Sequence, residues 1–263
     1  MDLQGRTVLL TGATGGIGHA IARRLHRAGA QLILTGRRTE VLEPLAAELG
    51  ARAIAVDLAD PAAVEQLAAD CADVDGLVAN AALPGSGPVL SFSVEEIDRA
   101  LQVNLRAPMI LSRLLAERMV ARGSGHLLFI SSLSGKSSQA GSAVYSATKF
   151  GLRGYGQGLR GDLRSAGVGV SVVFPGFISD AGMFHDAGVK LPKGVGTSTP
   201  QEVADAVLGA IEHNRGEVDV APVGMRLGAT FAAVAPEISA KVTRRLGGEK
   251  ISDAMGAGQA DKR

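Results

Sequence analysis

The sequence is poor in three things: cysteine, net charge and long apolar runs. A single cysteine, Cys71, in 263 residues excludes an intrachain disulfide and suits a reducing compartment. Charge of neither sign prevails, since 27 Lys and Arg against 26 Asp and Glu leave a net +1. Such a balance gives nucleic acid nothing to grip. The five histidines, at 19, 26, 126, 185 and 213, are scattered and have no cysteine partners, so no metal site is expected. No apolar run approaches the roughly 20 residues that cross a bilayer. The first apolar run begins at residue 7, so no secretory leader is expected. A cytoplasmic protein is the expectation.

What the chain has is a regular alternation. Apolar runs of strand length recur at 7–10, 31–35, 52–56, 76–80, 126–131, 169–174 and 217–221. Segments with helical spacing lie between them at 17–28, 39–49, 61–72, 94–121, 143–165 and 201–213. Continuous apolar strands alternating with helices predict an α/β fold, a doubly wound parallel sheet covered on both faces. No linker or repeat interrupts it, so one domain is expected over 1–222, followed by an extension over 223–263. The stretch 175–200 is glycine- and proline-rich and longer than most loops, which marks 177–200 as a lid over the site.

The chemistry begins at TGATGGIGHA, residues 11–20. A glycine cluster between a strand and a helix aims free backbone N–H groups at whatever lies above the turn, the arrangement that cradles a pyrophosphate. Gly12, Thr14, Gly15, Gly16, Ile17 and Gly18 form it, spaced GxxxGxG rather than GxGxxG. At the end of the second strand, where an acid usually meets a free ribose 2′-hydroxyl, stand Gly36, Arg37 and Arg38. Arginine there can pair with a 2′-phosphate, which favours NADP(H) over NAD(H). Further on, Tyr145 and Lys149 are four apart and share one helix face. An ammonium beside a phenol lowers the phenol's pKa and makes it a usable acid or base. Thirteen residues before Tyr145, Ser132 ends a strand where ligands of open α/β sheets bind, with Ser131 as its local competitor.

Together these residues resemble the short-chain dehydrogenase/reductase family, over about residues 5–222. The family's TGxxxGxG turn matches residues 11–18, its YxxxK matches Tyr145 and Lys149, and its serine matches Ser132. The resemblance implies a seven-stranded Rossmann sheet of order 3-2-1-4-5-6-7. It further implies that Asn104 completes a catalytic set with Ser132, Tyr145 and Lys149, holding a water that relays protons from Lys149. Asp57 and Leu58 would face the adenine, and Asn80, Ala81 and Ala82 stand for the family's NNAG. Pro175, Gly176 and Ile178 fall at the PG turn near the nicotinamide, with Asp180 where many members carry threonine. By the same resemblance Tyr145 gives a proton to a carbonyl oxygen as hydride leaves the nicotinamide, while Lys149 binds the ribose and Ser132 polarises the carbonyl.

A lid around Met183, Phe184, Val189 and Leu191 suggests a hydrophobic ketone or alcohol. In the extension, Leu227, Phe231, Val234, Ile238, Val242 and Leu246 recur at spacings of three and four, with Lys241, Arg244 and Arg245 nearby. Such a stretch can lie on a membrane surface, but packing on its own domain or across a subunit interface is the expectation. The last dozen residues are expected to fray. The resemblance implies a homodimer through the helices containing 107–121 and 149–165, with a homotetramer as the alternative. The competing functions are a non-catalytic NADP(H) sensor or scaffold and a related epimerase or dehydratase.

Overall fold

A computed structural model describes residues 1–188, 196–245 and 255–259 of the chain. In chain order the elements are β1 (Thr7–Leu10), α1 (Gly16–Arg27), β2 (Gln31–Gly36), α2 (Thr39–Leu49), β3 (Arg52–Ala55), α3 (Pro61–Asp70) and β4 (Gly76–Ala79). There follow α4 (Val94–Leu101), α5 (Ala107–Arg122), β5 (Gly125–Ile130), α6 (Ala143–Leu163) and β6 (Val168–Pro175). The chain continues through α7 (Met183–Asp186), α8 (Pro200–Glu212), β7 (Glu217–Val220), α9 (Val223–Val234) and α10 (Pro236–Arg245).

The seven strands form one sheet of order β3-β2-β1-β4-β5-β6-β7, parallel throughout. This is the expected Rossmann topology. Its cause is visible in the strands, whose successive apolar side chains feed opposite faces. Val8 and Leu10 pack with α1, α2 and α8 on one face. Leu9 packs with α3, α5 and α6 on the other. Short helices are fixed by their starts. Ser93 and Glu96 form a capping box on α4, Thr199 and Glu202 another on α8, and the Asp60 side chain caps α3 ahead of Pro61. Each box satisfies two backbone donors that would otherwise be free.

Two expectations change. The helix expected over 94–121 is interrupted by a π turn, Gln102–Arg106, between α4 and α5. The extension does form two helices, but they do not bury their apolar spacing against the domain. Leu227, Phe231, Val234, Ile238 and Val242 are exposed, and Ala229 alone of α9 is buried. The break falls at Pro236, which starts α10 because it cannot continue α9. Leu246 lies outside the described residues.

His126 in β5 supplies a stability prediction. It is 2 % exposed, with Nε2 2.9 Å from the Ser171 hydroxyl. Burial, with smaller contributions from the N-terminal ammonium and Arg160, lowers its pKa from 6.5 to about 3. The folded protein therefore binds fewer protons than the unfolded chain between these values. The stabilisation is complete above about 6.5 and is lost as pH falls toward 3. Urea unfolding should show a loss of about 2 kcal/mol from this group between pH 7 and pH 5. In His126→Gln that part of the pH slope should be absent; an unchanged slope would refute the assignment.

Candidate active site

Because all seven strands run in parallel, the residues after their ends converge on one edge of the sheet. The turn after β1 is built around Gly12, which has φ +66°. A Cβ there would stand 2.7 Å from the Ala81 Cα, and one at Gly18 would run into the Gly12 carbonyl. The glycines thus let α1 and the end of β4 close on the turn. Asn80 fastens that closure, its side chain donating to the carbonyls of Thr11 and Gly12, both at 3.1 Å. Thr11, absent from the expected set, accepts at its hydroxyl from the backbone N–H groups of Asn80 and Ala81. Its signal was the threonine that opens TGxxxGxG. Ala82, next along, is partly exposed, and the following Leu83 is buried.

The N-terminus of α1 has Gly15 as its cap, with no side-chain capping bond and no acid in the first turn. Its N–H groups are thus left to a ligand anion, which is what a pyrophosphate requires. Thr14 and Ile17 flank this terminus, and the Ala181 Cβ stands over Gly16. A cavity of about 370 Å³ beside it is lined by Gly16, His19, Arg23, Arg24, Asp180 and Ala181. Asp180 adopts φ +61° and accepts from the Ser179 hydroxyl at 2.8 Å.

After β2, Arg37 and Arg38 are both exposed. Arg38 donates to the Thr14 carbonyl at 2.5 Å, while Arg37 has no carboxylate partner among the described residues. An acid at Gly36 would require the Thr14 side chain to move, since a Cβ there would stand 2.6 Å from the Thr14 Cγ2. After β3, Asp57 is exposed, accepts from the Ala59 N–H and lies 3.5 Å from Arg99, and Leu58 is buried.

The titratable centre lies beyond β5. The Ser132 hydroxyl accepts from Ser134 N–H at 3.1 Å and donates to the Pro175 carbonyl at 3.4 Å, and it is close enough to the Tyr145 phenol to pull the phenol's pKa down. Its competitor Ser131 is committed elsewhere, donating to the Lys149 carbonyl at 3.0 Å. Tyr145 and Lys149 share a face of α6, with the ammonium 5.5 Å from the centre of the phenol ring. Lys149 is 2 % exposed and donates to the Ile130 carbonyl at 2.9 Å. Burial lowers its pKa to about 8.

Tyr145 departs from expectation. It sits deep among its neighbours, with part of its side chain open to solvent, and burial pushes its phenol up to about 12 while the Ser132 hydroxyl pulls the other way. The lysine does not bring it toward neutrality, because its ammonium is turned to the Ile130 carbonyl. In this state the phenol holds its proton across the neutral range.

A family model described as short chain dehydrogenase matches residues 6–190. The chain belongs to the short-chain dehydrogenase/reductase family. Among curated relatives, a ketoacyl reductase, HetN, of Nostoc sp. is 39% identical over 227 residues, covering 83% of this chain and 79% of that protein. A 3-oxoacyl-(acyl-carrier-protein) reductase, FabG, of Rickettsia bellii is 34% identical over 216 residues, covering 79% and 89%. Among solved structures, a short-chain dehydrogenase from Sphingobium yanoikuyae in complex with NADPH superposes with a TM-score of 0.77 at 29% identity, covering 89% of this chain and 95% of that one.

As a short-chain dehydrogenase/reductase, the chain is an oxidoreductase fitted to a nicotinamide cofactor. Its remaining expected residues lie on the same edge. Asn104 sits in the π turn and is 1 % exposed. Its Oδ1 accepts from Leu83 N–H at 2.6 Å and its Nδ2 donates to the Leu83 carbonyl at 2.9 Å. The side chain is therefore engaged in fixing the loop after β4. π turns often occur at functional sites because they break the helical ladder. Pro175 ends β6, Gly176 donates to the Val220 carbonyl, and Ile178 is buried and bridges to Ser198.

In the expected lid, Phe184 packs against Phe177 with ring centres 4.8 Å apart; Val189 and Leu191 lie outside the described residues. The chain end is not frayed where it is described: residues 255–259 are placed against the lid, and Gln259 is 1 % exposed. No sequence periodicity announces this contact. Among the described residues no group of three or more His, Cys, Asp or Glu is gathered, and no helix is long and apolar enough to cross a membrane.

Proposed function

We propose that this chain is a cytoplasmic NADP(H)-dependent oxidoreductase interconverting a ketone or aldehyde with an alcohol. The observation that supports it most is the grouping of Ser132, Tyr145 and the buried Lys149, whose ammonium lies 5.5 Å from the centre of the phenol ring. In reduction Tyr145 donates its proton to the carbonyl oxygen, and the phenolate left behind is the form that takes a proton in the reverse direction. The Ser132 hydroxyl donates to the same oxygen and stabilises its developing charge. NADPH, when bound, supplies the hydride. The Gly12–Gly18 turn and the α1 N-terminus would hold its pyrophosphate, Arg37 and Arg38 its 2′-phosphate, and Lys149 its nicotinamide ribose. Asp57 and Leu58 would line the adenine side, with Asn80 to Ala82, Pro175, Gly176 and Ile178 on the nicotinamide side. Asn104 holds Leu83 and would complete the set by holding a water that relays protons from Lys149.

The substrate is hydrophobic in this reading, in keeping with the Phe177–Phe184 pair. Two relatives are named ketoacyl and 3-oxoacyl reductases, so a 3-ketoacyl thioester is the first substrate to assay. Pairing of two copies through α5 and α6, or of four, belongs to the same proposal; Val120 and Phe150 are exposed on these helices. The test is NADPH absorbance with a panel of 3-ketoacyl thioesters and apolar ketones. Stoichiometric NADPH consumption is expected. Tight NADPH binding without consumption of any of them would favour the sensor or scaffold.

A further inference from the structure

The end of the chain meets two segments at once. On one side a Cβ at Gly256 would stand 2.7 Å from the Gly87 Cα and 3.2 Å from the Ser86 carbonyl oxygen. That loop rests on the titratable centre, because Gly85 accepts from Tyr145 N–H and a Cβ on it would stand 3.0 Å from the same nitrogen. On the other side a Cβ at Gly258 would stand 2.8 Å from the Ala187 carbonyl oxygen, and the Gln259 Nε2 donates to the Met183 carbonyl at 2.8 Å. Backbone approaches this close admit only glycine at 256 and 258. Gln259 is buried, and its Oε1 finds no hydrogen-bond partner among the described residues. A buried acceptor left without a donor loses its hydration for no return.

We propose that residues 255–259 form a wall of the substrate site, joining the loop at 85–87 to the lid helix α7, and that Gln259 is its positioning and specificity residue. Its Nε2 holds the lid through Met183, and its Oε1 accepts from an N–H or O–H group of the substrate beyond the reacting carbonyl. The proposal rests on the oxidoreductase reading for its kinetic part only. Two classes of ketone follow: those with an amide N–H or hydroxyl away from the carbonyl, which the wall selects, and plain hydrocarbon ketones, which it does not.

Two full-length variants test it, Gln259→Met, which keeps the side chain's length, and Gly258→Val, which forces the wall off Ala187. Neither residue touches the catalytic or cofactor groups. Hydrogen exchange over 85–87 and 183–188 reads the wall without any turnover. Both variants should raise exchange there about tenfold, the size of one lost hydrogen bond, with NADPH affinity unchanged. In kinetics, KM for a donor-bearing ketone should rise about tenfold with kcat little altered. The preference over a plain ketone should vanish in Gln259→Met. Unchanged exchange in both segments overturns the wall, and an unchanged preference overturns the role of Oε1. If the parent protein reduces no ketone, exchange alone decides the wall, and the oxidoreductase reading fails separately.

Discussion

Replacing Tyr145 by Phe should cut kcat about a thousandfold while leaving NADPH affinity within about twofold of the parent protein. A positioned general acid contributes about 10² to 10⁴ in rate, and the substitution removes the phenolic hydroxyl with little change of volume. The ring stays on α6 beside Lys149, so the cofactor's own contacts survive. Retention of more than about a tenth of the activity would remove Tyr145 from the mechanism. The pH profile carries a second check. With the phenol near 12 and Lys149 near 8, the donor keeps its proton across the neutral range. The lysine charge is present below about 8 and lost above it. Reductive kcat/KM, which reports the free protein's groups, should be flat to about pH 8 and fall beyond.

Arg37→Ala should weaken NADPH by about 10- to 100-fold and NADH by less than about threefold. A hydrogen bond to a charged group contributes about 1.5–3 kcal/mol, and this one would exist for the 2′-phosphate alone. Arg37 is exposed after β2 and has no carboxylate partner among the described residues, so removing it disturbs no internal pair. Arg38 differs, since its guanidinium also holds the Thr14 carbonyl; Arg38→Ala should loosen the turn for both cofactors. Fluorescence titration with each nucleotide separates the cases. Equal losses for NADPH and NADH in Arg37→Ala would remove the 2′-phosphate argument.

The sheet was legible because the central strands are continuous apolar runs, and all seven strands end within one residue of where the expected runs end. The helical breaks were harder to see. QVNLR carries the same apolar spacing as its flanks, so nothing local marks the π turn at Gln102–Arg106; Asn104 finds its partner Leu83 21 residues away. In the extension the period was legible, but period says only that a face exists. Whether the face is covered depends on what packs there, and on this chain Leu227, Phe231 and Ile238 are left open. The site shows the same division. Spacing put Tyr145 and Lys149 on one face of α6, but it could not tell that burial raises the phenol while the ammonium turns to the Ile130 carbonyl. Residues 255–259 have no period at all, and their contacts are with segments distant in the chain, around Gly87, Met183 and Ala187.

The close approach at Gly36 also constrains how this cofactor site can change. An aspartate introduced there to greet a free ribose 2′-hydroxyl would meet the Thr14 side chain, 2.6 Å from its Cβ, at the turn meant for the pyrophosphate. Gly36→Asp alone should therefore impair both nucleotides. Thr14→Gly made first clears the ground, and the same aspartate can then favour NADH. The two substitutions are thus coupled, and the effect of the second depends on whether the first is already in place.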